Sequence, residues 1–406
     1  MVVYLDHAAT TPMLLEAIDA YAHALGTVGN PASIHSQGQS AKRMLEEARE
    51  EIAATLGCDP IEVVLTSGGT EAVNLAVKGI WWFRNRGASR PVILAPGGEH
   101  HATIDTLEWL EQHEGAIVDW LPLDEDGLVR PDDVRAALAR HGDSVALVTL
   151  LWANNEVGSI QPVREISAHA AAAGVPVHLD AVAAYGYLET DFAAVRSASG
   201  SSGGSGLVAM SVSAHKIGGP VGVGALVLSR SAIVEPLLHG GGQQRQVRSG
   251  TQDVAGAVAF AVAATHAARN REAEAVRLGG LRDRLIDGIR SSVPAATLNG
   301  PSGAGRLPGN VHVAVAGCEG DSLLFLLDMA GVSVSTGSAC QAGIPEPSHV
   351  LRAMGRSEIE ARGALRVTLG HTTTDADVDA LLSALPGAYA QAARAGFADR
   401  STSLGA

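Results

Sequence analysis

The chain has 406 residues, with 29 Lys+Arg against 43 Asp+Glu and a formal net charge of −14, which excludes a nucleic-acid binder working through a broad basic face but leaves room for a basic pocket. Hydrophobic residues at 46% and charged residues at 18% exclude a wholly disordered chain, and the length fits two or three domains or one large core with a satellite. Three cysteines, Cys58, Cys318 and Cys340, are too few, and odd in number, for a disulfide framework.

The opening Met1-Val2-Val3-Tyr4-Leu5-Asp6 has neither the basic start nor the long apolar stretch of a secretory signal. The longest apolar runs, such as residues 254–264, are too short to span a bilayer. A soluble, cytoplasmic protein is expected, with neither nucleic acid nor membrane as a direct partner. Residues 40–56 place Met44, Leu45, Ala48, Ile52 and Leu56 at helical spacing, with Gly57 as a stop. Residues 61–66 form a short β-branched run, and Ser67-Gly68-Gly69-Thr70-Glu71 leads into a helix. Strand-like runs follow at 91–95, 116–121, 145–150, 176–180, 207–211 and 224–228, with helical segments between most of them. Short apolar strands alternating with helices predict a mainly parallel sheet covered on both faces. The Ser/Gly-rich insert from Ser197 to Gly206 is expected to be a mobile surface loop without chemistry. Past Thr251 comes an Ala-rich helical region to about residue 289, then strands at 310–315, 332–335 and 364–369 mixed with helices. That change predicts a smaller α+β domain.

Several residues carry possible chemistry. In the turn after the first β-branched run, Gly69 and Thr70 either present backbone N–H groups and a hydroxyl to an anion or form an ordinary βα turn capped by Thr70. Asp180 ends a strand, facing the crevice where α/β sheets bind ligands, or else caps a helix. Lys216, in Ser213-Ala214-His215-Lys216 before glycines, is either an amine nucleophile for a Schiff base or a surface lysine. His100 and His101 are adjacent, a poor metal pair with no third ligand at a recognisable spacing. Cys340 lies among small residues with no apolar periodicity, which favours an exposed thiol, whereas Cys58 and Cys318 read as structural. Arg366, inside an apolar strand, requires an anionic partner, either a bound carboxylate or an internal acid.

In this order, these features resemble the cysteine desulfurases, a branch of the class V aminotransferase-like pyridoxal-phosphate enzymes. The resemblance runs from Tyr4-Leu5-Asp6-His7-Ala8-Ala9-Thr10-Thr11-Pro12 to Arg366 and Gly370-His371. It includes Gly29-Asn30-Pro31, Asn154-Asn155-Glu156-Val157-Gly158, His239-Gly240-Gly241-Gly242 and Arg248-Ser249-Gly250-Thr251. The Cys340 segment, with Glu346-Pro347-Ser348-His349-Val350-Leu351-Arg352, is its most specific part. The resemblance implies a fold-type I α/β enzyme with a large, mainly parallel sheet domain over residues 14–260. It implies a small α+β domain over 1–13 with 261–406, carrying the cysteine loop.

It further implies that Lys216 holds pyridoxal 5'-phosphate as a Schiff base and moves protons, that Asp180 pairs with the pyridinium nitrogen, and that His100 stacks on the ring. Gly69, Thr70, Ser213, His215 and, from a neighbouring subunit, Thr251 would hold the phosphate; Asn155, Arg366 and Asn30 would bind substrate. Cys340 would take sulfur from L-cysteine as a persulfide, releasing alanine, and pass it to an acceptor protein such as an iron–sulfur scaffold or a thiolation enzyme. A homodimer is implied. One departure stands out: relatives carry glutamine three residues after the aspartate, where this chain has Ala183. The competing readings are a selenocysteine lyase or aminotransferase of the same class, and a non-catalytic binding scaffold.

Overall fold

A computed structural model describes residues 2–337 and 347–398. Its strands are β1 (Val3–Tyr4), β2 (Val63–Thr66), β3 (Val92–Pro96), β4 (Ile117–Leu121), β5 (Val145–Leu151), β6 (Pro176–Asp180), β7 (Gly206–Ser213), β8 (Gly224–Leu228), β9 (Ala296–Leu298), β10 (Asn310–Val315), β11 (Val332–Ser333) and β12 (Ala364–Thr368). Its helices are α1 (Leu15–Leu25), α2 (Ser36–Leu56), α3 (Gly69–Asn85), α4 (His101–Glu114), α5 (Pro131–His141), α6 (Val163–Ala172), α7 (Phe192–Ala198), α8 (Val254–Ser292), α9 (Gly320–Met329), α10 (His349–Ala353), α11 (Glu358–Arg362) and α12 (Asp375–Ala398).

Seven strands form one sheet in the order β2-β8-β7-β6-β5-β3-β4. Strands β3 to β7 run parallel, and β8 is antiparallel to both its neighbours. Helices cover both faces, which is why most strands read as unbroken apolar runs rather than alternating ones. On β3 the pleat divides the side chains: Val92 and Leu94 join the core beneath α2, α5, α6 and α7, whereas Ile93 and Ala95 join the core beneath α3 and α4. The α/β class is therefore as expected, with the strand ends within one or two residues of the sequence reading.

A second core gathers around the antiparallel sheet β12-β10-β9 and the parallel pair β1-β11, with Leu5, Val311, Val313, Leu365 and Val367 inside it. The 39-residue helix α8 serves both cores: Phe260, Ala263 and Ala264 pack in the first, Leu278, Leu285 and Ile289 in the second. The strand β9 and the two-residue β1 were not anticipated, being too short to show a period.

The Ser/Gly-rich insert keeps Ser202, Gly203 and Gly204 exposed between α7 and β7, but its ends are bonded into the fold. Ser197 and Ala198 finish α7, Gly206 opens β7, and Ser199 between them is buried. The Ser201 hydroxyl is bonded to Ser199 and accepts the Leu207 N–H at 2.9 Å. Serine side chains that bond nearby backbone make a compact turn out of a composition that otherwise reads as a free linker.

Candidate active site

The C-terminal ends of β2, β3, β5, β6 and β7 meet at one edge of the large sheet, where open α/β folds place ligands. A cavity of about 450 Å3 opens there, and Gly69, Thr70, His100, Asn155, Asp180, Ser213, His215, Lys216 and Arg366 all line it. That volume lies within the usual range for small-molecule sites. The N-terminal segment Asp6 to Ala9 and Gly337, Asn310 and Thr368 from the smaller core complete the wall.

Lys216 closes a short turn directly after β7. Its Nζ donates to the carbonyl of Ala8 and, at 2.7 Å, to that of Ala9. Burial lowers its ammonium pKa to about 8, helped by Arg366 and opposed by Asp6 and Asp180. An amine in that range is partly neutral near neutral pH, as a nucleophile requires.

Asp180 is the last residue of β6, 2% exposed, and Oδ1 accepts the Val182 N–H at 2.9 Å. Burial raises its carboxyl to about 6, against the pull of the Val182 N–H and Lys216. Two residues earlier, on the same face, His178 is bonded through Nδ1 to the Thr149 hydroxyl at 2.9 Å and through Nε2 to the Ser211 hydroxyl at 2.8 Å. Its burial pushes it down to about 3, so the imidazole is neutral and brings no charge beneath Asp180.

His100 caps α4, with Nδ1 accepting the Ala102 N–H at 3.0 Å. Burial, then the nearby Lys216, lower it to about 4, which leaves a neutral ring with its proton on Nε2. His101 turns to a different partner, its ring 4.8 Å from that of His349. Among the described residues no three His, Cys, Asp or Glu side chains gather as a metal site.

Residues 67–71 form the entry to α3, and Glu71 ties that entry down. Its carboxylate accepts the Ser67 N–H at 2.7 Å and pairs with Arg248 at 2.8 Å. Thr70 side-chain oxygen is not engaged as a cap, and the helix N-terminus of α3 faces the cavity through Gly69 and Thr70. A Cβ on Gly69 would come within 2.7 Å of the Val182 side chain, so the approach of α3 to the residues after Asp180 requires glycine.

Arg366, in the middle of β12, is 5% exposed. One guanidinium nitrogen donates to Asp6 at 2.8 Å, another to the Asn155 carbonyl at 3.2 Å, and Nε has no partner among the described residues. The internal ion pair is thus present, and donor capacity remains for a second anion. Asp6 was missed by the sequence reading as a member of this corner, although it stands in the first matching block. Tyr187, which also lines the cavity and donates to the Lys216 carbonyl at 3.4 Å, carried no signal at all.

Two named residues are elsewhere, and a third is not described. Asn30 is exposed in a turn, its side chain accepting the Ala32 N–H. Thr251 lines a separate, smaller hollow with Ser67 and Arg248. Cys340 lies outside the described residues. Burial raises the thiols of Cys58 and Cys318, making both poor nucleophiles.

Residues 3–381 match the family described as Aminotransferase class-V. An IscS-like cysteine desulfurase from Mycobacterium tuberculosis is 53% identical over 396 residues, covering 97% of this chain and 98% of that protein. The chain belongs to the cysteine desulfurases. Among solved structures, a NifS-like protein superposes with a TM-score of 0.86 at 30% identity, over 96% of this chain and 100% of that one. The structure described as SspA in complex with cysteine superposes with a TM-score of 0.75 at 30% identity, over 90% of this chain and 98% of that one. In this desulfurase, therefore, the cavity at the strand ends lies in a fold shared along nearly the whole chain, and the aminotransferase-class sheet supplies its floor.

Proposed function

We propose that the protein takes sulfur from L-cysteine, releases L-alanine, and carries the sulfur as a persulfide on Cys340 to an acceptor protein. The observation that carries this reading is the convergence of Lys216, Asp180, His100 and Arg366 on one cavity in a chain of desulfurase kinship. Pyridoxal 5'-phosphate is the proposed cofactor. The donor set fits it: a carbonyl-held amine, a buried carboxylate, a neutral imidazole, and a helix N-terminus flanked by Thr70, Ser213 and His215. When bound, that group supplies an electron sink for the substrate's Cα.

The chain's own residues do the rest. Lys216 would hold the cofactor through its amine and would move the proton at the substrate Cα. Asp180 would pair with the ring nitrogen, and His100 would pack against the ring. Gly69, Thr70, Ser213, His215 and Thr251 of the partner subunit would hold the phosphate, while Asn155 and Arg366 would fix the substrate carboxylate; Asn30, exposed and away from this cavity, could take part only from a second subunit. The Cys340 thiolate forms the S–S bond as the substrate C–S bond breaks, with protons returned to the carbon skeleton as alanine leaves. A homodimer, a cytoplasmic location, and an iron–sulfur scaffold or thiolation enzyme as acceptor belong to the same proposal. So does the division into residues 14–260 and 1–13 with 261–406, which the two cores meeting along α8 support. No described helix is long and apolar enough to cross a membrane. The test is incubation with pyridoxal phosphate, L-cysteine and a thiol reductant: equal alanine and sulfide are expected, and pyruvate or no product would overturn the reading.

The lowered Lys216 pKa sets the pH dependence of cofactor capture by protein stripped of it. Only the neutral amine attacks an aldehyde, so the rate should rise with pH through about 8 and then level off. A rate still climbing at pH 10, as for an ordinary lysine, would contradict the burial of Nζ. Absorbance on mixing gives the rate.

Ala183 lines the cavity where relatives place a glutamine. A donor there would stabilise the anionic phenolic oxygen of the cofactor, an effect of up to about 1.5–3 kcal/mol, with water supplying part of it already. Ala183→Gln is expected to lower the titration midpoint of the loaded protein's visible band by about one unit and to raise turnover. An unchanged midpoint with slower turnover would show that the space serves another side chain.

A further inference from the structure

Glu99, between Gly98 and His100, has no assigned part in the site. It is 2% exposed and contributes nothing to the cavity wall. Its Oε1 accepts the Leu151 N–H at 3.0 Å, at the end of β5, and Leu151 is the register partner of Asp180 on β6. Its Oε2 is buried with no hydrogen-bond partner, and no cation forms an ion pair with it among the described residues. The same turn is tied down twice more by its backbone: the Glu99 carbonyl accepts from His349 Nε2 at 2.8 Å, and the Gly98 carbonyl accepts from Asn154 Nδ2 at 2.9 Å. The titratable groups around this corner are Asp180 from β6, His100 and His101 from its own turn, His349 from α10 and, beyond His100, Lys216. None of them is a cation bonded to the carboxyl.

An ionised carboxylate buried without a counter-charge costs far more than a protonated one, and two neighbouring carboxyls resist ionising together. Asp180 has the better claim to the charge, having the Val182 N–H and Lys216 close by. We propose that Glu99 is a positioning residue that works as a neutral carboxylic acid, pinning the His100 turn to the end of β5 while adding no second negative charge beside Asp180. The proposal rests on the reading of His100 and Asp180 as cofactor contacts. Burial as the largest influence, with Asp180 adding to it, raises this carboxyl well above the usual range despite the Leu151 N–H.

The direct test is infrared spectroscopy of the purified protein without cofactor, at neutral pH in heavy water, with glutamate carboxyls labelled with carbon-13. A carboxylic-acid C=O band that moves with the label and disappears in Glu99→Gln is expected. Absence of that band from the wild-type protein overturns the proposal. This readout needs neither cofactor nor turnover, so it fails independently of the desulfurase reading. In the loaded enzyme, Glu99→Gln should leave the acid limb of cysteine turnover at its wild-type pH, whatever the rate. A downward move of that limb by about one unit, the mark of a removed negative charge near Asp180, also overturns it. Glu99→Leu keeps neutrality but orphans the Leu151 N–H, and should retain pyridoxal phosphate roughly tenfold more weakly, with glutamine restoring retention. Equal retention in the leucine variant overturns the pinning role.

Discussion

Lys216→Ala should release alanine from cysteine roughly 10³-fold more slowly than the wild-type protein, the scale expected when the residue that moves the reacting proton is removed. The same variant should bind pyridoxal phosphate only through noncovalent contacts, so dialysis strips it while the wild-type protein stays yellow. Borohydride treatment gives a sharper reading, because the chain has three lysines in all, Lys42, Lys78 and Lys216. Lys42 is exposed on α2, and Lys78 lies over the Trp109 ring, 4.1 Å from its centroid. Neither lines the cavity. Reduction should therefore fix the cofactor to the peptide containing Lys216 alone. An adduct on either of the other two would move the site away from the strand ends and dismantle the assignment of Asp180 and His100 with it.

Cys340→Ser is expected to keep the cofactor, still show a spectral response to cysteine, and release alanine and sulfide at less than about a hundredth of the wild-type rate. Serine preserves the shape of the side chain but supplies no thiolate near neutral pH. The control is Cys58→Ser. The Cys58 thiol lies against the first core, its sulfur 3.8 Å from the Ala53 carbonyl, with burial raising its pKa. That variant should turn over cysteine normally. Full activity in Cys340→Ser would mean that sulfur leaves the substrate without a persulfide on this residue, and a labelled-sulfur trap on the intact protein would then show no adduct in the 338–346 peptide.

The large sheet was readable because both of its faces are covered. Strands such as β6 and β8 appear in the sequence as closed apolar runs, and their bounds in the structure are those read from the residues, Pro176–Asp180 and Gly224–Leu228. The smaller core was read only in outline. Its β1 has two residues and β9 three, too few for any period to emerge, and β11 at Val332–Ser333 is two residues shorter than the run read from the sequence. Strand order was not readable either, since β8 sits between β2 and β7 through pairings that no local pattern encodes.

For the candidate site, Asp180 and Lys216 were singled out by position, one at a strand end and one just past a strand. Arg366 was singled out by incongruity, a charge within apolar neighbours. Each is a signal carried by a few adjacent residues. Asp6 and Tyr187 give none, because their place beside Arg366 and Lys216 depends on chain segments far apart. Glu99 is similar: an acid next to a histidine reads as solvated surface until its burial is known.

The closing of the cavity by residues 6–9 has a consequence for the order in which the chain comes into being. The Thr368 N–H donates to the Leu5 carbonyl, Ala8 donates to the Thr368 hydroxyl, and Asp6 meets Arg366, all across some 360 positions. A ribosome-bound chain that has reached α8 already possesses the seven-stranded sheet and Lys216, yet lacks the wall that holds its Nζ in place together with Arg366. Contacts of such sequence separation form late. In chains that end before residue 366, residues 6–8 lack their Arg366 and Thr368 partners, so the wall against Lys216 and the burial that lowers its pKa are expected only once translation has passed residue 368.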